Sequence, residues 1–223
     1  FAITQSVTNG TGDTVSLAPY GTLARHGEPA DLKNFFILHE GIVGMTDGEL
    51  TELDYSDVAD FEIDPRDGSR SEIKQVEGDG WIGFTDHYWM STLIPAPGQA
   101  FRSSAKYDER RDIYQTDVVL PTMTLAAGET SEVTTQLFSG AKEWATIRAY
   151  EKGGIAGFLD SIDWGWFFFL TKPIFAVLHF LHGLIGNMGW AIIALTVLIK
   201  ILVFPLAYKS YASMAKMKEL QPE

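Results

Sequence analysis

The hydrophobic pattern of the chain changes sharply along its length. The longest apolar run, GWAIIALTVLIKILVFPL, covers Gly189 to Leu206 and contains one charge, Lys200. Eighteen residues of helix reach about 27 Å, close to the hydrocarbon thickness of a bilayer. Because lipid offers no hydrogen-bond partners to the backbone, such a run must be helical. The pattern therefore predicts a transmembrane helix over residues 188–207.

The earlier part of the chain has shorter apolar runs that are separated by turn signals. Ala2 to Val7 alternates apolar and polar residues, and Asn9-Gly10 is typical of a turn. The aromatic stretch Trp81 to Phe84 predicts a central strand, and the apolar run Phe35 to Leu38 predicts a buried one. Regularly spaced short strands with few helices indicate a β-sandwich.

A change of character near residue 150 predicts a domain boundary. Ala141 to Tyr150 has helical spacing, and Gly153-Gly154 after it is typical of a hinge. We therefore expect residues 1–150 to form the mainly β domain. The chain begins at Phe1 within a strand-like pattern, so we expect it to be a fragment of a longer protein.

Residues 151–187 are expected to form a linker and an amphipathic helix. Aromatic side chains, among them Trp164 and Trp166, precede Lys172 and Pro173. Since proline suits the first turn of a helix, we predict that this helix starts near Pro173. Tryptophan favours headgroup depth, so an aromatic helix beside a span is expected to lie in the membrane interface. A buried helix of a soluble domain is the alternative.

The charge distribution predicts the orientation of the chain. Residues 1–163 contain 27 Asp and Glu against 12 Lys and Arg, whereas residues 164–223 contain 5 Lys and Arg against 2 Asp and Glu. An acidic domain argues against nucleic acid as a partner. Positive residues stay cytoplasmic, so residues 208–223 are expected to begin a cytoplasmic helical region, with the acidic domain outside. The lysines behind this prediction are Lys209, Lys216 and Lys218.

Lys200 is the first candidate functional residue. A cation at mid-bilayer costs about 2.5–3.5 kcal/mol on insertion scales, so it normally faces a wet cavity or a partner. The alternative is snorkelling, because Tyr208 lies only about 12 Å further along the helix and a lysine can bend towards the headgroups. Thr196 lies one turn earlier on the same face. Its hydroxyl either lines the same cavity or bonds back to its own helix.

Catalytic and metal chemistry have little support in the sequence. The chain has no cysteine, which excludes disulfides and thiolate metal sites. His179 and His182 are spaced i, i+3, but such pairs are common without a metal, and we expect neither a metal nor a cofactor.

Two sets of motifs resemble one family. In the second part of the chain the motifs are Asp163 to Pro173, Gly186 to Trp190, Pro205-Leu206, Ser213 to Met217 and Leu220 to Pro222. In the first part they are Ser16 to Ala24, Gly80 to Gly83 and Trp89 to Pro95. In residues and order they resemble the YidC family of membrane protein insertases. Gly140-Ala141-Lys142 departs from the family's Gly-Pro-Lys, which leaves the local turn open.

The resemblance implies both a fold and a function. Residues 1–150 would be the C-terminal part of a twisted periplasmic β-sandwich similar to sugar mutarotases. Given that likeness, Asp86-His87 beside Trp81 and Tyr88 suggests a sugar site, and a membrane-anchored periplasmic sugar-binding or docking domain is the alternative function. The membrane part would contribute to a hydrophilic groove with one basic residue, a position that Lys200 matches. The implied function is insertion and folding of newly made proteins in the bacterial inner membrane, alone or with the Sec translocon. The implied partners are nascent membrane proteins, the translocon, the lipid bilayer and, through cytoplasmic regions, the ribosome.

Overall fold

The chain divides into two compact units. The computed structural model describes residues 1–30, 32, 38–66 and 68–219, the last five of these by their backbone alone. Unit 1 is Phe1–Asp163 and unit 2 is Trp164–Glu223. The strand predicted over the run from Phe35 to Leu38 falls mostly on residues 35–37, which lie outside the described residues, while Leu38 itself lies in a bend.

Unit 1 consists mainly of antiparallel strands. The strands are β1 (Ala2–Thr8), β2 (Val15–Leu17), β3 (Tyr20–His26), β4 (Gly41–Thr46), β5 (Glu49–Asp54), β6 (Arg70–Val76), β7 (Gly80–Thr85), β8 (Trp89–Ile94), β9 (Phe101–Asp108), β10 (Ile113–Val119), β11 (Met123–Leu125) and β12 (Thr130–Ala141). The helices are α1 (Tyr55–Ala59), α2 (Trp144–Lys152) and the 3-10 helix Phe158–Ser161.

The strands form two main sheets. One sheet has the order β1-β12-β8-β7-β4-β5 and the other the order β3-β10-β9-β6, while β11 and β2 form a small separate pair. A core of side chains from both sheets lies between them, including Ile42 and Phe84 from one and Phe101 and Val118 from the other. The prediction of a β-sandwich followed by helices is confirmed.

The six-stranded sheet is covered on both faces. On the face away from the sandwich core, Trp81 and Met45 pack with Ile147 of α2 and with Ile155 and Phe158. Because both faces are apolar, β4 and β7 are buried almost continuously instead of alternating.

This second core corrects the domain boundary predicted at Gly153-Gly154. The compact unit continues through the glycine pair to Asp163, because Ile155 and Phe158 are buried against the sheet. The glycines therefore connect α2 to a packed segment of the same unit. Local sequence signals could not show this, since they do not report which sheet face a later segment covers.

Two glycines of β7 are required by close backbone approach. A Cβ at Gly83 would lie 2.0 Å from the carbonyl oxygen of Ser91, and one at Gly80 would lie 2.4 Å from that of Met45. Neither contact can be relieved by rotating a side chain. The Gly80 to Gly83 motif is thus explained by the packing of β7 between its neighbours.

The carboxylate of Asp47 connects the turn between β4 and β5 to the turn between β6 and β7. Asp47, with a φ of 46°, occupies the turn between β4 and β5. Its carboxylate accepts backbone hydrogen bonds from Glu77 at 2.8 Å, Gly78 at 2.9 Å and Asp79 at 3.1 Å. These three donors lower the pKa of Asp47, since they favour the charged form.

The lowered pKa of Asp47 predicts a specific acid sensitivity. The charged Asp47 carboxylate contributes fully to stability above the unfolded-state pKa of an aspartate, about 3.9. This contribution is lost as the pH falls through the lower pKa of Asp47 in the folded state. We expect Asp47→Asn to lower the unfolding midpoint at pH 7 and to make the loss of stability below pH 5 shallower. Glu49→Gln is the control, because the described residues offer its carboxylate no hydrogen bond. Parallel pH profiles for Asp47→Asn and the parent protein would contradict this prediction.

Unit 2 is a pair of helices, α3 (Phe168–Ile185) and α4 (Met188–Glu219), which pack on each other. By length and composition both are candidate membrane spans, with mean hydropathies of 1.6 for Phe168–Ile185 and 2.4 for Met188–Met214. The predicted start near Pro173 is wrong: α3 begins at Phe168 and contains Pro173. The hydroxyl of Thr171 donates to the carbonyl of Trp164 at 2.9 Å and helps to hold the entering turn, so proline is not needed to start the helix.

Candidate functional site

The α4 helix presents two different sides. The residues facing inward are buried or half-buried: Ala191, Ala194, Leu195 and Ile199. They recur at helical spacing, and α3 is the helix that packs on α4. Lys200 follows Ala191 by nine residues, which is two and a half turns. Its side chain therefore points away from α3.

Lys200 is exposed on this outward side of α4. Within the part of unit 2 that the structure describes, no hydrogen bond or ion pair involves its ammonium group. In a helix of this hydropathy, an ammonium group without a partner requires water or a counter-charge from elsewhere. The position is suited to attracting an anionic group.

Thr196 is also exposed and lies one turn before Lys200. Its hydroxyl donates to the carbonyl oxygen of Ile192 at 2.8 Å, within the same helix. Of the two alternatives for this residue, the structure shows the bond back to its own helix. The hydroxyl oxygen retains its capacity to accept a hydrogen bond on the Lys200 side.

Aromatic side chains surround the start of α3. Trp166 is 94% exposed, whereas Trp164 lies edge-on to Phe175 with ring centroids 5.7 Å apart. The Nζ atom of Lys172 lies 5.7 Å from the ring centroid of Phe168. A large exposed indole, further aromatic rings and a flexible cation are the combination that occurs at headgroup depth.

The residues of the alternative sugar site are not brought together. Trp81 is only 1% exposed, and its indole nitrogen donates to the carbonyl of Ala156 at 3.1 Å. Asp86 pairs with Arg25 at 2.6 Å, and the His87 ring packs against Tyr88. From its buried position Trp81 cannot stack on a sugar. In the described ranges, no group of three or more His, Asp or Glu side chains is arranged to hold a metal.

Sequence reasoning missed a polar cluster around Lys142. The half-buried ammonium group donates to the hydroxyl of Thr85 at 2.9 Å. The carboxylates that interact with it are those of Asp163, Asp86, Glu40 and Glu52. Burial lowers the pKa of Lys142, and these carboxylates partly offset that effect. Because the groups come from distant segments, no local motif could have predicted the cluster.

Comparison with known proteins identifies the family. The model of the YidC periplasmic domain matches residues 1–177, and that of the 60Kd inner membrane protein matches residues 180–223. The chain belongs to the YidC family. This membership confirms the resemblance found in the motifs.

Three relatives of the YidC family, each named membrane protein insertase YidC, match the whole chain. The protein of Ruegeria sp. (strain TM1040) is 78% identical over 223 residues. That of Ruegeria pomeroyi is 66% identical over 228 residues, and that of Roseobacter denitrificans 62% over 223 residues. The chain spans 37% of the length of each of these relatives.

Proposed function

We propose that the protein to which this chain belongs is an insertase that places newly made proteins in the bacterial inner membrane. The proposal rests chiefly on Lys200, a cation with no partner among the described residues, on the side of α4 that faces away from α3. The names of the relatives support the same activity. No catalytic step is assigned to the described residues.

In this proposal Lys200 lines a hydrophilic groove that is completed by parts of the protein outside this chain. A cation in a poorly solvated groove attracts the carboxylates of an incoming polar tail and keeps water in place around it. The apolar part of the substrate then moves into lipid. Lysine acts here as a point charge, since it lacks the bidentate fork of arginine.

The remaining parts of the chain have supporting roles in this proposal. In this proposal α3 lies along the membrane interface, with Trp164 and Trp166 before it and Lys172 and Pro173 in its first turns, so that only α4 crosses the bilayer. Unit 1 stands on the periplasmic side and provides a docking surface, for which the Sec translocon is the partner implied by the family resemblance. The ribosome is implied in the same way, through cytoplasmic regions of the complete protein. Nascent membrane proteins and the bilayer complete the set of partners.

Reconstitution tests the activity directly. Vesicles that contain the complete protein should insert a single-span substrate with a short acidic tail, so that the tail becomes protected from added protease. Empty vesicles and vesicles with an unrelated membrane protein give the background. Equal protection in all three preparations would contradict the proposal.

The proposed orientation predicts opposite labelling of two single-cysteine variants. Ala127 and Ser213 are both exposed, one in unit 1 and the other near the end of α4, and the chain has no native cysteine. With the outer membrane permeabilised, an impermeant maleimide should label Ala127→Cys in intact cells and Ser213→Cys only after lysis. The physical reason is the lysine-rich segment that follows the span, which is retained in the cytoplasm. The reverse pattern would contradict the orientation.

A further inference from the structure

Two large aromatic side chains are exposed at one turn of unit 1. Tyr88 lies between β7 and β8 and is 68% exposed, while Trp89 begins β8 and is 62% exposed. The next residue, Met90, is buried in the second core, which fixes the turn to the sheet. The turn therefore presents two rings outward from a rigid support.

This turn lies at the end of unit 1 from which the chain leaves. Two hydrogen bonds connect the two places, and a third joins Tyr88 to Lys142, directly after β12. The amide of Lys142 donates to the carbonyl of Tyr88 at 2.8 Å, and that of His87 to the carboxylate of Glu40 at 3.1 Å. The amide of His39, the neighbour of Glu40, donates to the carboxylate of Asp163 at 3.0 Å. Asp163 is the last residue of unit 1.

The chain cannot travel far between Asp163 and the first apolar helix. Phe168 begins α3 five residues later, and five extended residues span at most about 18 Å. With α3 and α4 in the membrane, as proposed above, this short connection would keep Asp163 close to the membrane surface.

The opposite end of unit 1 offers a natural comparison. Ala141 of β12 pairs with Trp89, while the other end of that strand, Thr130, lies eleven residues away. At about 3.3 Å per residue this is roughly 36 Å. The exposed turn containing Ala127 lies beyond Thr130 and is therefore remote from the aromatic turn.

We propose that Tyr88 and Trp89 rest in the headgroup layer of the membrane, as a lipid contact of unit 1 separate from α3 and α4. Tyrosine and tryptophan are the side chains that combine an apolar ring with a polar group suited to this depth. The contact would give unit 1 a second point of attachment and so limit its rotation about the connecting segment. This inference rests on membrane insertion of unit 2, not on its insertase activity.

The neighbouring charges specify the lipid. Glu40, Asp86 and Asp163 lie at this end of the unit, and two cations, Arg25 and Lys142, compensate them only in part. Anionic headgroups would be repelled by these carboxylates. The proposed surface is therefore one of zwitterionic lipid, and a higher anionic fraction should weaken the contact.

The complete protein in phosphatidylethanolamine–phosphatidylcholine vesicles provides the test. A spin label on Tyr88→Cys should collide more often with oxygen, which concentrates in lipid, than with a water-soluble nickel chelate. The same label on Ala127→Cys is the matched control and should show the opposite preference. Replacing part of the lipid by phosphatidylglycerol should reduce the difference between the two positions.

A second measurement leaves Tyr88 unchanged and keeps an aromatic ring at position 89. Brominated zwitterionic lipids should quench the parent protein more than Trp89→Phe, because only the parent has an indole at this turn. A label on Tyr88→Cys as accessible to the nickel chelate as the one on Ala127→Cys would overturn the proposal. A label at position 88 that neither reagent reaches would also overturn it, since protein would then cover the turn.

Discussion

In the complete protein, Lys200→Glu is expected to reduce insertion of substrates with acidic tails more than any other substitution at this position. Two like charges about 4 Å apart repel by about 4 kcal/mol at an effective dielectric of 20, and one third of that corresponds to a tenfold change in rate. Lys200→Ala removes the attraction without adding repulsion, so its loss should be smaller. Lys200→Arg keeps the charge and should retain insertion.

The decisive measurement compares two substrates that differ only in the charge of the tail. With Lys200→Ala, a tail containing Asp or Glu should insert roughly tenfold more slowly, while a matched Asn and Gln tail should change little. Stability is the control: Lys200 has no partner in the described part of the chain, so removing its charge from the membrane should leave the protein at least as stable. Equal losses for both tails would mean that Lys200 keeps the groove hydrated. Unchanged insertion of both would favour snorkelling.

Phe158→Ala is expected to destabilise unit 1 by about 3–5 kcal/mol, the range for removing a large buried aromatic side chain. The Phe158 side chain is fully buried. Its ring lies edge-on to those of Trp81 at 5.4 Å, Phe138 at 5.5 Å and Tyr150 at 6.2 Å. The substitution would leave a cavity between the 3-10 helix and the sheet. It would also remove three favourable ring contacts.

Urea-dependent pulse proteolysis of the complete protein in detergent measures this loss as a lower urea midpoint. Tyr20→Ala is the matched control, because that aromatic residue of the same unit is 65% exposed and should change stability by less than about 0.5 kcal/mol. Phe158→Leu should give an intermediate loss. If Phe158→Ala behaved like Tyr20→Ala, the segment after Gly153-Gly154 would not contribute to the core of unit 1.

The second core has a consequence for the attachment of unit 1 to the membrane. Ile155 and Phe158 fix the segment that leads to Asp163, so the chain leaves unit 1 from a packed position. The hinge predicted at the glycine pair would have allowed the domain to turn freely. Packing up to Asp163 instead leaves a short connection to α3, and the lipid contact proposed for Tyr88 and Trp89 depends on this restraint.

The sequence by itself determined the class of structure and the main candidate residue. Short runs of alternating apolar and polar residues, separated by turn dipeptides, predicted the β-sandwich, because the side chains of a strand alternate between its two faces. The apolar run around Lys200 required a helix, because lipid leaves the backbone no other way to satisfy its hydrogen bonds. Both inferences depend on local periodicity, which a single sequence contains in full.

Only the tertiary structure decided what depends on contacts between distant segments. Three features have this origin. Ile155 and Phe158 cover one face of the sheet, several carboxylates surround Lys142, and Lys200 lies on the side of α4 away from α3. The start of α3 at Phe168 is a smaller case, since the contact between Thr171 and Trp164 replaced the expected role of proline. Periodicity shows that a face is apolar or polar, but the partner of that face is chosen by packing across the whole chain.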